Sequence, residues 1–134
     1  MDVLTRLTSE HDTLRTLLER IQAAAGARDA AALAASLEAA RPTLTDELDT
    51  HIVIEETEAF APIAQTLGEE ALAHYYQDHV EIRALRDELF AQLARGEMPY
   101  ETSERLCKLI LIHQQYEDQK LFPQGHEAAA AFGS

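Results

Sequence analysis

One pattern occurs twice in this chain. His51-Ile-Val-Ile-Glu55-Glu56 is followed by Phe60-Ala61-Pro62, and His113-Gln-Gln-Tyr-Glu117-Asp118 is followed by Leu121-Phe122-Pro123. Each copy reads His-x-x-x-Glu-acidic. On a helix, positions i and i+4 share a face with their Cβ atoms roughly 5–6 Å apart, so each copy sets an imidazole beside a carboxylate. One such pair is common by chance; two with the same exit are not.

The rest of the chain supplies helices to carry them. Residues 2–25 show Leu4, Leu7, Leu14, Leu18 and Ile21 at a spacing of three and four, with His11 at a position that calls for a core residue. Gly26 punctuates this helix, and Asp29 opens a second that runs to about Leu67-Gly68, with Pro42 and Pro62 expected to bend it. Its stripe passes Leu33, Leu37, Leu44, Leu48, His51 and Glu55. A third helix, about 69–95, presents Leu72, Tyr75, His79, Ile82, then Leu85 or Arg86, and Leu89. A fourth runs from about Tyr100 to Leu121, is ended by Pro123, and presents Leu106, Ile110, His113 and Glu117. Short connections make an all-α, up-down-up-down four-helix bundle over residues 1–123 the simplest architecture, with 124–134 as an Ala-rich tail expected to fray. His11 lies closer to the end of its helix than His51 lies to the start of the next, a mismatch of roughly 12 Å at the α-helical rise. The bend at Pro42 is expected to absorb it, leaving residues 29–41 angled or overhanging.

Composition narrows the function. The 134 residues form one domain, and 24 acidic against 11 basic residues give a net charge of −13, so nucleic acid and anionic membranes are poor partners. No apolar run reaches the roughly 20 residues that span a bilayer, and the first residues lack the apolar core of a secretion signal. The single Cys107 makes no internal disulfide, and a cytoplasmic location fits best. The expected state is a monomer or weak homo-oligomer.

Each helix thus turns one histidine inward (His11, His51, His79, His113), and two helices add Glu55 and Glu117. A lone inward histidine is more often a satisfied core residue than a ligand, and a lone His-x-x-x-Glu is more often a surface pair. Neither reading accounts for a histidine on all four stripes together with the repeated pair. Six ionisable groups in one layer are costly if unpaired, and two facing carboxylates repel. A pair of cations removes both costs, with neutral imidazole nitrogens and bridging carboxylates. Nitrogen and oxygen donors without thiolate suit iron, manganese or zinc.

The combination of Ser9-Glu10-His11 through Leu14, His51-x-x-x-Glu55-Glu56, Asp78-His79-x-x-Ile82, His113-x-x-x-Glu117 and Leu121-Phe122-Pro123 resembles the hemerythrin-like, histidine–histidine–glutamate cation-binding domains. The resemblance covers nearly the whole chain. It implies a non-haem centre of two iron ions with an oxo or hydroxo bridge, in which the four histidines are terminal ligands and Glu55 and Glu117 are bridges. Oxygen-carrying members have a fifth histidine, four residues from the first on the third helix. Here that position is Tyr75 on one side and Arg83 on the other. Either a coordination position is open, or Tyr75 fills it as a phenolate.

The expected function is therefore binding or turnover of a small oxidant (O2, H2O2 or NO) at the bundle core. Catalase-like or peroxide-responsive chemistry is favoured over O2 storage because of the absent histidine. The alternative is an iron-buffering or metal- and redox-sensing module without catalysis.

Overall fold

The computed structural model describes residues 2–131, so Met1 and residues 132–134 of the expected tail lie outside it. The described residues are helical throughout apart from short connections, with no strand among them. Four rods carry the chain: α1 (Val3–Gly26), α2 (residues 30–67), α3 (Ala73–Ala94) and α4 (residues 100–131). None is long and apolar enough to cross a membrane. The termini follow local chemistry. Asp2 Oδ1 accepts from the Thr5 amide at 2.8 Å and Asp29 Oδ1 from the Ala32 amide at 3.0 Å, satisfying amides that have no partner within the helix. Gly68 and Gly96, at φ 89° and 81°, supply the left-handed turns before and after α3. At the end of α1 the residue with positive φ is Arg28 (54°) rather than Gly26. Arg28 is held there by its guanidinium, which bonds Ala25 O and Glu104 and lies over the Tyr100 ring.

The rods are not uniform α-helix. Wider π-turns occupy Thr43–Glu47 and Glu55–Phe60 in α2 and Glu117–Leu121 in α4. A proline sits next to each: Pro42 just before the first, Pro62 and Pro123 just after the other two. Proline has no amide hydrogen to give the preceding turn, and a change of hydrogen-bond step absorbs the loss without ending the helix. The sequence expectation that α4 stops at Pro123 is corrected accordingly, since helix continues through Phe122–Ala131. Gly125 lets this segment pack closely: a Cβ built there would lie 2.9 Å from Ile63 Cδ1 and 3.1 Å from Leu4 Cδ1, so a larger residue would have to push those two side-chain ends aside.

Residues 30–42 do not overhang. Leu33, Leu37 and Ala40 are fully buried, in one cluster with Leu18, Ile21, Ala24 and Ala25 of α1. Of the two candidates left open on α3, Arg86 takes the buried position, with its guanidinium donating to Leu44 O at 3.2 Å and to Asp49 at 2.8 Å. The apolar interior is divided. One cluster runs from Leu14 and Ile82 to the Ala25 and Leu33 end; the other holds Leu4, Leu7, Phe60, Ile63, Leu72, Tyr75, Leu121 and Phe122. The inward histidines and glutamates lie between these two plugs.

Candidate metal centre

The π-turns bear on the site directly. Two of the three begin on the glutamate of a His-x-x-x-Glu pair, and π-turns within α-helices are often found at functional positions. Each also carries its phenylalanine to the next helix. Phe60 stacks on the His79 ring at 5.4 Å between centroids, with 6° between planes; Phe122 stacks on His11 at 5.8 Å and 15°. The repeated stretch in the sequence is thus a repeated device in space.

The structure brings all six expected histidines and glutamates together. His11, His79, His113, Glu55 and Glu117 are buried and His51 nearly so. Their Nε2 atoms converge: His11 and His51 at 3.2 Å, His79 and His113 at 3.1 Å. Glu55 places Oε2 at 2.9 Å from His51 and 3.6 Å from His11, and Oε1 at 2.7 Å from His79 and 3.6 Å from His113. Glu117 likewise directs Oε1 to His11 at 3.2 Å and Oε2 to His113 at 3.1 Å. Each carboxylate therefore gives one oxygen to each histidine pair. Two ligand groups result, Glu55, His79, His113 and Glu117 in one and His11, His51 and Glu55 in the other, with donor atoms within 4.8 Å of one another in each.

A second layer orients the first. Asp118 meets His11 Nδ1 at 2.9 Å, Glu10 meets His51 Nδ1 at 2.8 Å, Glu56 meets His79 Nδ1 at 2.7 Å and Asp78 meets His113 Nδ1 at 2.9 Å. The order is cyclic: α1 supports the histidine of α2, α2 that of α3, α3 that of α4, and α4 that of α1. An ionised carboxylate only accepts, so each Nδ1 must donate. In a neutral imidazole that leaves Nε2 as a lone pair facing inward. Of this ring, the sequence marks Glu56 and Asp118, one step from Glu55 and Glu117, as either solvated or supporting groups, and it marks Glu10 and Asp78 only as members of the segments that resemble the family. A signal was present, since an acidic residue adjoins His11, Glu55, His79 and Glu117 in turn.

The centre is thus rich in acceptors and poor in donors. Both Glu117 oxygens are buried without a hydrogen-bond partner despite the nearby nitrogens. With the imidazoles neutral, lone pairs face lone pairs, an arrangement that a bound cation turns from repulsive to attractive, so the residues present fit one.

Protons are the competing occupants. Burial pulls the His11 imidazole down, but Asp118, Glu117 and Glu55 outweigh it and carry it well above its ordinary 6.5. Burial opposes the rise at His51 and His113 too; Glu55 raises the first, and Glu117 and Asp78 push the second up to about 12. Burial pushes Glu55 up as well, but Glu117 and the histidines reverse this and hold it well below the carboxylate range. For Glu117, burial and the charge of Glu55 act together and raise it. A histidine raised in this way stabilises the cation-free fold fully below pH 6.5, and that contribution is lost as pH climbs through the folded value, about 12 for His113. Cation binding needs the same nitrogens unprotonated. The rise in melting temperature caused by a bound divalent cation is therefore expected to grow as pH climbs from about 6.5 toward the raised folded values, with protons released on uptake. Calorimetric titration in two buffers of different ionisation heat measures the release; a pH-independent rise with no release would remove the histidines from the binding.

Tyr75 is buried in the plug beside the site. Its ring lies edge-on to His113 at 5.9 Å between centroids, and burial followed by the charge of Glu117 pushes its phenol up to about 12. Outside, a cavity of about 170 Å3 between α1 and α2 is lined by Glu10, Leu14, Thr43, Leu48 and the two histidines His11 and His51. It adjoins the inner cavity through His11, Leu48 and His51, which line both. His51 is also the most exposed of the six, at 13% of its side chain.

A family model described as the hemerythrin HHE cation-binding domain matches residues 2–125, a span that includes every residue of both layers. No curated protein and no solved structure matches the chain.

Proposed function

The chain belongs to the hemerythrin HHE cation-binding domain family, and we propose that it holds two iron ions and turns over a small oxidant, hydrogen peroxide before O2 or NO. The observation that carries this reading is the pair of carboxylates, each with one oxygen toward each of two histidine pairs. One ion would be held by His11, His51 and Glu55, the other by His79, His113, Glu55 and Glu117, with Glu117 also reaching the first through Oε1. Tyr75 is the protein group available in place of the absent fifth imidazole. A phenol that holds its proton so tightly suits a ferric ion better than a ferrous one, because the more highly charged ion displaces the proton more readily. We further propose that the helices run up-down-up-down, which the cyclic order of the four Nδ1 hydrogen bonds and the short connections support.

Iron bound here would supply Lewis acidity and a one-electron redox couple. The remaining work falls to the chain. Glu10, Glu56, Asp78 and Asp118 hold the protons on Nδ1 and so fix which nitrogen each histidine turns inward. Phe60 and Phe122 cover two of the rings, and the apolar plugs on either side exclude water. The cavity between α1 and α2 leads from the surface to His51 and is wide enough for a small neutral molecule. Peroxide disproportionation balances without an external reductant: one molecule is oxidised to O2 while another is reduced to water, giving two waters and one O2 from two peroxides.

The test is elemental analysis and visible spectroscopy of protein given Fe(II) without air, then peroxide loss followed against His113→Ala. About two irons per chain and peroxide consumption that the substitution removes are expected. Two irons with no consumption would return the function to iron buffering, and no iron uptake would end the di-iron reading.

A further inference from the structure

We propose that Gln114 is a specificity-determining residue that selects hydrogen peroxide over the diatomic gases by hydrogen-bonding it inside the bundle. This rests on the oxidant reading above and names the substrate class for the same site. Gln114 is 3% exposed, and its Oε1 is buried with no hydrogen-bond partner. It lines the inner cavity together with His11, His51, Glu55, His79, His113 and Glu117. A buried amide oxygen left unpaired is destabilising, and native proteins seldom keep one without a use. Its neighbours offer no remedy. With cations on Nε2 the four histidines donate only through Nδ1, to the outer carboxylates, and the two glutamates accept. The rest of the inner lining is apolar: Leu48, Ile52, Ile82 and Ile110. The missing donor must come from whatever enters.

That requirement sorts the three oxidants by chemistry. Hydrogen peroxide carries two O–H groups and lone pairs, so it can donate to Oε1, and it can accept from the amide nitrogen if the group is turned over. O2 and NO have no hydrogen to give and leave Oε1 as it was. The inner cavity that Gln114 shares with the six groups is small, about 10 Å3, at the lower limit for one water, so it admits one O–H end of a peroxide rather than the whole molecule. Selection therefore comes from one hydrogen bond rather than from a contoured pocket.

The experiment uses Gln114→Met, which keeps length and apolar contact without hydrogen bonding, and Gln114→Leu as a second shape. Four quantities are measured: melting temperature of the iron-loaded protein, iron content after anaerobic Fe(II) loading, second-order rate of hydrogen peroxide loss, and affinity for NO. The expected result is a melting temperature equal to or above wild type, unchanged iron, peroxide loss slowed about tenfold, as one ordinary hydrogen bond to a ligand predicts, and NO affinity within about twofold. A melting temperature lowered in both variants would show that Gln114 has a structural partner such as a resident water, and overturns the proposal. So does peroxide loss at the wild-type rate, or an equal loss toward peroxide and NO, in variants that load iron normally. A wild-type protein that takes up no iron or spares peroxide overturns the function proposed above and this selection with it.

Discussion

Glu55→Ala is expected to empty both cation positions. Glu55 belongs to both ligand groups, and its two oxygens divide between them, Oε2 toward His51 and Oε1 toward His79 at 2.9 and 2.7 Å. Structural metal sites with about four ligands are worth about 10–16 kcal/mol, so each ligand carries roughly 3 kcal/mol, or about a 100-fold change in affinity. Glu55→Ala applies that loss to both ions at once, and it removes the negative charge that lies among four histidines. Iron per chain after anaerobic loading and desalting should fall from about two to near zero, while His113→Ala, on one group only, should retain more. Glu55→Asp is the informative control: one methylene shorter, it cannot reach both histidine pairs and should keep at most one ion. If Glu55→Ala retains two irons with wild-type spectra, the carboxylate does not bridge, and the ions are held elsewhere.

The second large effect concerns the plug. Phe60 is completely buried, stacks face to face on His79, and touches the rings of Tyr75 and Tyr76. Truncating a buried phenylalanine to alanine costs about 3–5 kcal/mol, a large share of the roughly 5–15 kcal/mol that hold a domain together. For a chain of this length the melting temperature should fall by roughly 10–20 °C. The cavity would also open directly beside His79, so cation affinity should fall along with stability. Val80→Ala, at a side chain 62% exposed one residue along from His79, should move stability by no more than about 0.5 kcal/mol. Equal melting temperatures for the two variants would mean that the plug contributes nothing to the layer it covers.

The fit between chain and fold is closest where a periodic pattern meets a strong physical penalty. His11, His51, His79 and His113 stand on apolar stripes, so any helical structure that buries those stripes buries the histidines too. The repeated His-x-x-x-Glu then brings its carboxylates with them. Where two neighbouring residues could serve, the pattern gave no decision. Arg86 was buried in preference to Leu85 because Leu44 O and Asp49, both on another helix, offered its guanidinium partners. Pro123 reads as a stop only when the helix is considered alone. The π-turn at Glu117–Leu121 and the docking of Gly125 on Leu4 and Ile63 carry the helix past it.

The amino-acid sequence alone determined the helical class, the six inward ionisable groups and the family to which they point, because spacing along one helix decides which residues share a face. Tertiary structure alone decided the rest. Glu10, Glu56, Asp78 and Asp118 each act on the histidine of a different helix, so their role exists only once four helices are set side by side at a particular rotation. The same holds for Gln114, whose neighbour in sequence is a proposed ligand but whose unpaired oxygen becomes visible only when the groups lining the inner cavity have been placed. A hydrogen bond between helices is a relation of distance and direction, and neither can be read from spacing along a single chain.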